Sequence, residues 1–252
     1  MGALPNGVDG ASFLMRVAAN EIPNIEPIWR AGHNESVGTT YVELWDGQVA
    51  YPWLDAATAM TVSSDNANDV LAGTGLWSLI IYGLDANWLQ ISEVIIMNGQ
   101  TPVTTVNEYL RVNYVRALTV GSNDSNVGRI YTGTGTVTAG VPATVYADMQ
   151  PAEGSTHACL YSVPASKTFY LIDAGAAPDT AKTMTVGLFT RDVGNGYAWV
   201  LDGPNDAYQE SISREFAMPV PVTEKSDAAF KCRVDATTAD VTGHMYGILV
   251  DN

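Results

Sequence analysis

Three histidines, His33, His157 and His244, and two cysteines, Cys159 and Cys232, are the scarce and chemically versatile residues of this 252-residue chain. No His-x-x-x-His, His-Glu-x-x-His or Cys/His cluster with metal-ligand spacing occurs. A Gly-x-Ser-x-Gly elbow and a Gly-x-x-x-x-Gly-Lys phosphate loop are absent as well. His157 stands two positions before Cys159, and residues i and i+2 of a strand share a face, so base and nucleophile can meet there. Nothing nearby supplies an orienting third group. Each cysteine lies in an apolar-alternating run, Ala158-Cys159-Leu160-Tyr161 and Phe230-Lys231-Cys232-Arg233, which reads as two small buried thiols. Sequence does not say whether they pair.

Clustered side-chain oxygens at Asp65-Asn66-Ala67-Asn68-Asp69 are of the type that binds calcium. The third position is alanine and no glutamate closes a loop, so the cluster reads as an Asx-rich turn between strands. Polysaccharide cleavage needs two carboxylates set about 5–9.5 Å apart in a groove, and none of the 27 acidic residues stands in a recognisable setting for it. No metal, cofactor or catalytic residue is assigned, and the chain reads as a non-enzyme. Aromatic residues offer more. Six tryptophans and twelve tyrosines are present, and Trp77 and Trp88 flank one hairpin-like unit. Most are expected in a core, while exposed indoles suit protein contacts or sugar stacking.

These residues must be positioned by a chain of unusual charge. Charged residues make up 15% of it, against about 25% in an ordinary domain. The formal net charge is −15, and the only lysines are Lys167, Lys182, Lys225 and Lys231. So acidic a chain does not gather a phosphate backbone by counterion release, nor an anionic membrane surface. No apolar run reaches the 18 residues of a membrane span. The first residues lack the basic and apolar regions of a secretory signal, which predicts synthesis in a cytosol without export by the general route.

Residues 1–38 carry Pro5, Pro23 and Pro27. Ala11 to Asn20 can form a short helix, but each later proline drives its predecessor into an extended conformation. The segment is read as an extended N-terminal arm with apolar studs at Ile22, Ile25, Ile28 and Trp29, ordered by lying on another surface of the same chain or of a neighbour. From Thr39, strand signals recur about every ten residues, separated by turns such as Asp46-Gly47, Asn98-Gly99 and Gly140. This predicts an all-β fold, a jelly-roll-like β-sandwich over 39–252. A division into 39–173 and 180–252 is the alternative.

The runs Tyr51 to Asp69, Ile81-Tyr82-Gly83-Leu84-Asp85-Ala86-Asn87-Trp88, Asn98 to Asn107, Tyr109 to Asn113, Tyr161 to Thr168, Pro219 to Asp227 and Gly247 to Asn252 resemble a family of tailed-phage virion structural proteins, common in phages of cyanobacteria and marine bacteria. The similarity spans roughly Val42 to Asn252. It implies a homo-oligomeric particle component and carries over no catalytic residue, and symmetric trimers or dimers would fit local two- and three-fold positions on a lattice. Low charge and strand-rich sequence agree with a self-assembling shell component. The leading expectation is a capsid decoration (cement) protein of the virion, assembled in the bacterial host cytoplasm, that binds the major capsid protein, with Trp29 and the arm as contact. The alternative is a tail or fibre component that binds a host-surface glycan through Trp77 or Trp88.

Overall fold

The computed structural model describes residues 11–47, 50–192, 194, 196, 198–201, 206–208, 211–235 and 237–252. In chain order these form α1 (Ala11–Ala18), β1 (Ile25–Val37), β2 (Val42–Glu43), β3 (Thr58–Ser64), β4 (Leu76–Leu84), β5 (Gln90–Ile96), β6 (Val103–Tyr109), β7 (Arg111–Val120), β8 (Ile130–Thr138) and β9 (Val141–Met149). They continue with β10 (Leu160–Ser162), β11 (Lys167–Pro178), β12 (Met184–Asp192), β13 (Val200–Leu201), β14 (Asp206–Tyr208), β15 (Ile212–Val222), β16 (Ser226–Val234) and β17 (Ala239–Asp251). All pairings between these strands are antiparallel.

The expected all-β class holds, but one jelly-roll-like sandwich does not describe the arrangement. Among the described residues, four sheets surround two main cores. Sheet β1-β17-β11-β15 and sheet β10-β16-β12-β13, the latter extended by β14 and β2, share a core that includes Val37, Leu44, Phe169, Leu188, Phe230 and Met245. Sheets β6-β3-β8-β9 and β5-β4-β7 share another that includes Trp45, Met60, Leu79, Tyr109, Ile130 and Met149. The alternative division into 39–173 and 180–252 would cut β11, a strand bonded along its length to β17. The path of the chain between the cores is nested. The chain begins the first core with β1 and β2, leaves to build the second with β3–β9, then returns. Departure and return are stitched together. The Cys159 amide donates to the Leu44 carbonyl at 2.8 Å, and the Asp46 amide to the His157 carbonyl at 3.2 Å. Apolar alternation marks where strands lie but not which strand each one pairs with.

Of the expected arm 1–38, residues 1–10 lie outside the described residues, and the remainder is built into the fold. Helix α1 is closed two residues past Ala18 by Asn20, whose φ of 56° is the left-handed conformation that closes helices, and β1 then pairs with β17 from Ile25↔Val250 to Val37↔Ala239. The segment is extended, as its prolines require, and it lies on its own chain. Pro27 is tolerated because β1 is an edge strand, where a missing amide donor breaks no interior ladder. The β8–β9 turn needs glycine at 140: φ there is 84°, and a Cβ would strike the Ser64 carbonyl.

The two halves are clamped by Asp227 of β16, which is fully buried. Its Oδ1 accepts from Arg111 Nε at 2.8 Å and Ser162 Oγ at 2.5 Å; its Oδ2 accepts from Arg111 Nη2 at 2.9 Å and Arg191 Nε at 3.0 Å. Arg111 belongs to β7 of the second core, whereas Asp227, Ser162 and Arg191 belong to strands of the first. Arg111 Nη1 donates to the Leu54 and Leu110 carbonyls at 2.7 and 2.8 Å, so little of its donor capacity is wasted. Removing one member of such a pair leaves buried charge uncompensated. Asp227→Ala should cost about 3–5 kcal/mol in urea unfolding, whereas Lys167→Ala, which breaks the surface pairs with Glu26 and Asp251, should cost under about 1 kcal/mol.

Candidate functional site

Of the expected contact residues, Trp29 is displayed. Ile22 and Ile25 are half-buried, and Ile28 joins the first core. Trp77 is half-buried, with Nε1 donating to the Gly73 carbonyl at 2.7 Å. Trp88 is 6% exposed and packs with Leu84 and Leu110 beneath the Arg111 guanidinium, 5.0 Å from the ring centroid. Trp88 is therefore not a surface platform, correcting the expectation for that residue. An apolar hairpin flank looks the same in sequence whether it faces a core or solvent.

Trp29 is 60% exposed. Strand alternation explains why. On β17, Val241, Met245 and Leu249 enter the core, so His244 and Tyr246 take the outer face, and register sets Trp29 of β1 opposite Tyr246. The rings lie nearly parallel. Trp29 and Tyr246 centroids are 5.6 Å apart at 16°, and Trp29 and His244 centroids 5.7 Å apart at 5°. The backbone partners of His244 are Ala31 and Gly175, and a Cβ on Gly175 would collide with the imidazole. Small neighbours thus let the ring lie across the sheet. His244 Nε2 meets Asp173 Oδ1 at 2.7 Å, and Ser213 Oγ donates to Asp173 at 3.3–3.4 Å. Both converge on the carboxylate. The serine-to-histidine bond that would activate a nucleophile is not made. Beside the stack runs an open groove of about 250 Å³ along Ala176, Ile212, Ser213 and His244. The arrangement offers a flat, partly apolar platform suited to a protein or sugar face. Sequence reading found Trp29, but not its partners, because pairing of β1 with β17 spans the whole chain.

A second cluster joins the two halves. Ligand atoms of Asp46, Glu153 and His157 lie within 4.8 Å of one another, a set that could hold a divalent ion. His157 Nδ1 is 3.0 Å from Glu153 and 4.0 Å from Asp46, and His33 Nδ1 is 3.2 Å from Asp46. His157 is thus committed to carboxylates, while Cys159 and Cys232 are free thiols in the first core, both pushed up by burial. In the Asp65–Asp69 turn, Asp69 is satisfied by neighbouring segments. Asp69 accepts from the Leu76, Val127 and Gly128 amides at 2.8 Å and from Ser64 Oγ at 2.6 Å. Those four bonds fill its carboxylate as a structural clamp.

No protein-family model matches the chain, and no curated protein sequence matches it. Among solved structures, likenesses are faint. A D431N mutant VP2 protein of infectious bursal disease virus, in derived T=1 particles, gives a TM-score of 0.25 at 6% identity over 95% of this chain and 75% of that one. A structure of the Gt strain of the same virus gives 0.22 at 8% identity, over 95% and 78%. A protein from Parabacteroides distasonis ATCC 8503 gives 0.20 at 10% identity, over 94% of each chain. At these scores the likenesses carry no argument. No helix among the described residues is long and apolar enough to cross a membrane.

Burial pushes Asp148 up to about 7, opposed by Arg129 and reinforced by Asp46, Asp65 and Glu153. Burial likewise pushes Asp46 up to about 6, with His157 and His33 opposing and Glu153 adding to the rise. An unfolded aspartate titrates near 3.9, so across the interval above that value the folded chain holds protons the unfolded chain has released, and stability falls as pH rises toward about 7. Asp148→Asn should remove its share. Arg129 keeps Gln150 Oε1 at 3.1 Å as a partner. Calorimetry should show the variant more stable than the parent by about 1–3 kcal/mol at about pH 8, with the difference shrinking toward about pH 5.

Proposed function

We propose that the chain is a structural component of a bacteriophage particle that works by surface contact, and that it is a capsid decoration protein bound to the major capsid protein as a homo-oligomer. The observation that carries this reading is the exposed Tyr246–Trp29–His244 stack on the outer face of the β1-β17-β11-β15 sheet. Exposed aromatic anchors are what protein contacts concentrate on, and this one rests on a sheet pinned by the two ends of the chain. The resemblance of Val42 to Asn252 to virion structural proteins supports the same role. The charge of −15 favours a protein partner over nucleic acid. In this reading Trp29 of the arm remains the contact, presented from a folded strand, and the chain resides in the virion.

The same flat stack beside an open groove also suits a sugar ring, which favours a tail or fibre adhesin as the second reading. Pelleting assays with capsids lacking the protein separate the two. Trp29→Ala should weaken capsid binding about tenfold or more, with an unchanged unfolding midpoint because the indole is exposed. Copies per particle should then scale with the number of capsid subunits. Equal saturation of capsids by parent and variant overturns the assignment of this face. Loss of host-cell binding in place of capsid binding transfers the role to the adhesin.

A further inference from the structure

The opposite side of β1 carries different chemistry. Where Trp29 turns outward, its neighbour Arg30 turns inward, across from Met245. Between β1 and the β5-β4-β7 sheet opens a cavity of about 330 Å³, lined among others by Arg30, Arg116, Tyr82, Tyr114, Tyr161 and Gln90. That volume is at the lower end for small-molecule sites. The Arg30 guanidinium lies over both Tyr114 and Tyr161, at 5.1 and 5.3 Å from the ring centroids. Its Nη1 donates to the Trp29 carbonyl at 2.7 Å, and its Nε is buried without a hydrogen-bond partner. Burial lowers its pKa, opposed by Tyr161, Tyr114 and Cys159. Arg116 is exposed at the cavity, 6.0 Å over the Tyr82 ring. Neither arginine pairs with a carboxylate among the described residues. Glu26 also lines the space, but Lys167 holds it at 2.9 Å.

A buried guanidinium nitrogen without a partner, Nε of Arg30, is costly unless something uses it, and the exposed Arg116 stands at the same cavity. Arginine forks match a carboxylate in two-point contact. The tyrosines supply flat apolar area for a ring, with Tyr82 and Tyr114 nearly parallel, centroids 6.4 Å apart at 24°. We propose that this cavity is a binding site for a carboxylated sugar, a single uronate-type residue, whose acid meets Arg30 and Arg116 and whose ring lies on the tyrosines. A polyphosphate or nucleic acid is disfavoured by the surrounding negative charge. The site is separate from the Trp29 platform and does not depend on the capsid reading.

The test is saturation-transfer NMR and calorimetric titration of the full chain with sodium glucuronate, glucose and inorganic phosphate. Glucuronate should bind, weakening as salt rises, while glucose and phosphate should not at the same concentration. Arg116→Gln, at an exposed position, should weaken glucuronate about tenfold. Arg30→Lys, which keeps the charge but loses the fork, should do likewise with a parent-like unfolding midpoint. Trp29→Ala should leave this binding unchanged. Absence of glucuronate binding up to about 10 mM, equal binding of glucose or phosphate, or indifference to Arg116→Gln each overturns the proposal.

Discussion

A carboxylate with no exposure to water, Asp227, is held by two guanidinium groups and a hydroxyl, and that arrangement determines how the two halves of the molecule meet. Burying an ion is costly, and the mutual attraction offsets the cost only when geometry and remaining hydrogen bonds are complete. Here they nearly are. Arg111 reaches across from the second core, and Arg191 approaches from the first. Trp53 lies against both guanidinium groups, 5.5 Å from Arg111 and 4.4 Å from Arg191. Trp199 adds to this roof over Arg191 and Lys231, and Lys231 in turn bonds Glu43 at 2.8 Å. Asn113 and Ser162 lock the same seam by two reciprocal bonds of 2.9 Å. A shifted docking of the halves would strand charge in a dry interior, so the seam selects one arrangement.

That seam gives β1 two different faces. The strand is an edge of the first core, yet its inner side looks across to the second. Period-two alternation then separates an outward indole from an inward guanidinium in adjacent residues. Neither feature requires movement of the backbone. Both depend on β17, which fixes the register of β1 over more than ten residues. The C-terminal strand, in effect, aims the N-terminal one.

Strand positions were legible in the sequence to a large degree. Ala59 to Ser63 lies within β3, Leu79 to Tyr82 within β4, and Ala229 to Val234 within β16, and the short helix before Asn20 is α1. Alternation and turn residues are local signals, and local signals survive in a single sequence. Partners did not. Strand β6 was not singled out, since Thr104, Asn107 and Glu108 blur its alternation; two of its amides are held by the Glu93 carboxylate at 2.8 Å. The nested excursion between Trp45 and Ala158 is visible only once Leu44 and Cys159 are bonded. Trp29 could be picked out as a stud among prolines, whereas Tyr246, His244 and Asp173 had no mark beyond their residue type.

Charge scarcity is itself informative. With 12 cations against 27 acids, each cation has an abundance of acids to pair with. Arg16, Arg111, Arg129, Lys167, Arg191 and Lys231 all do so. Arg30 and Arg116 face tyrosines instead, and the acid in the cavity lining, Glu26 of β1, is held by Lys167. Strands β4 and β7 place no acid beside the cavity. Their side chains around the cavity are Tyr82, Asn113 and Tyr114, none of them acidic. Arginines in a recess of an electronegative body concentrate positive potential where an anionic group of little total charge would be held in two-point geometry, while the body repels polyanions at longer range.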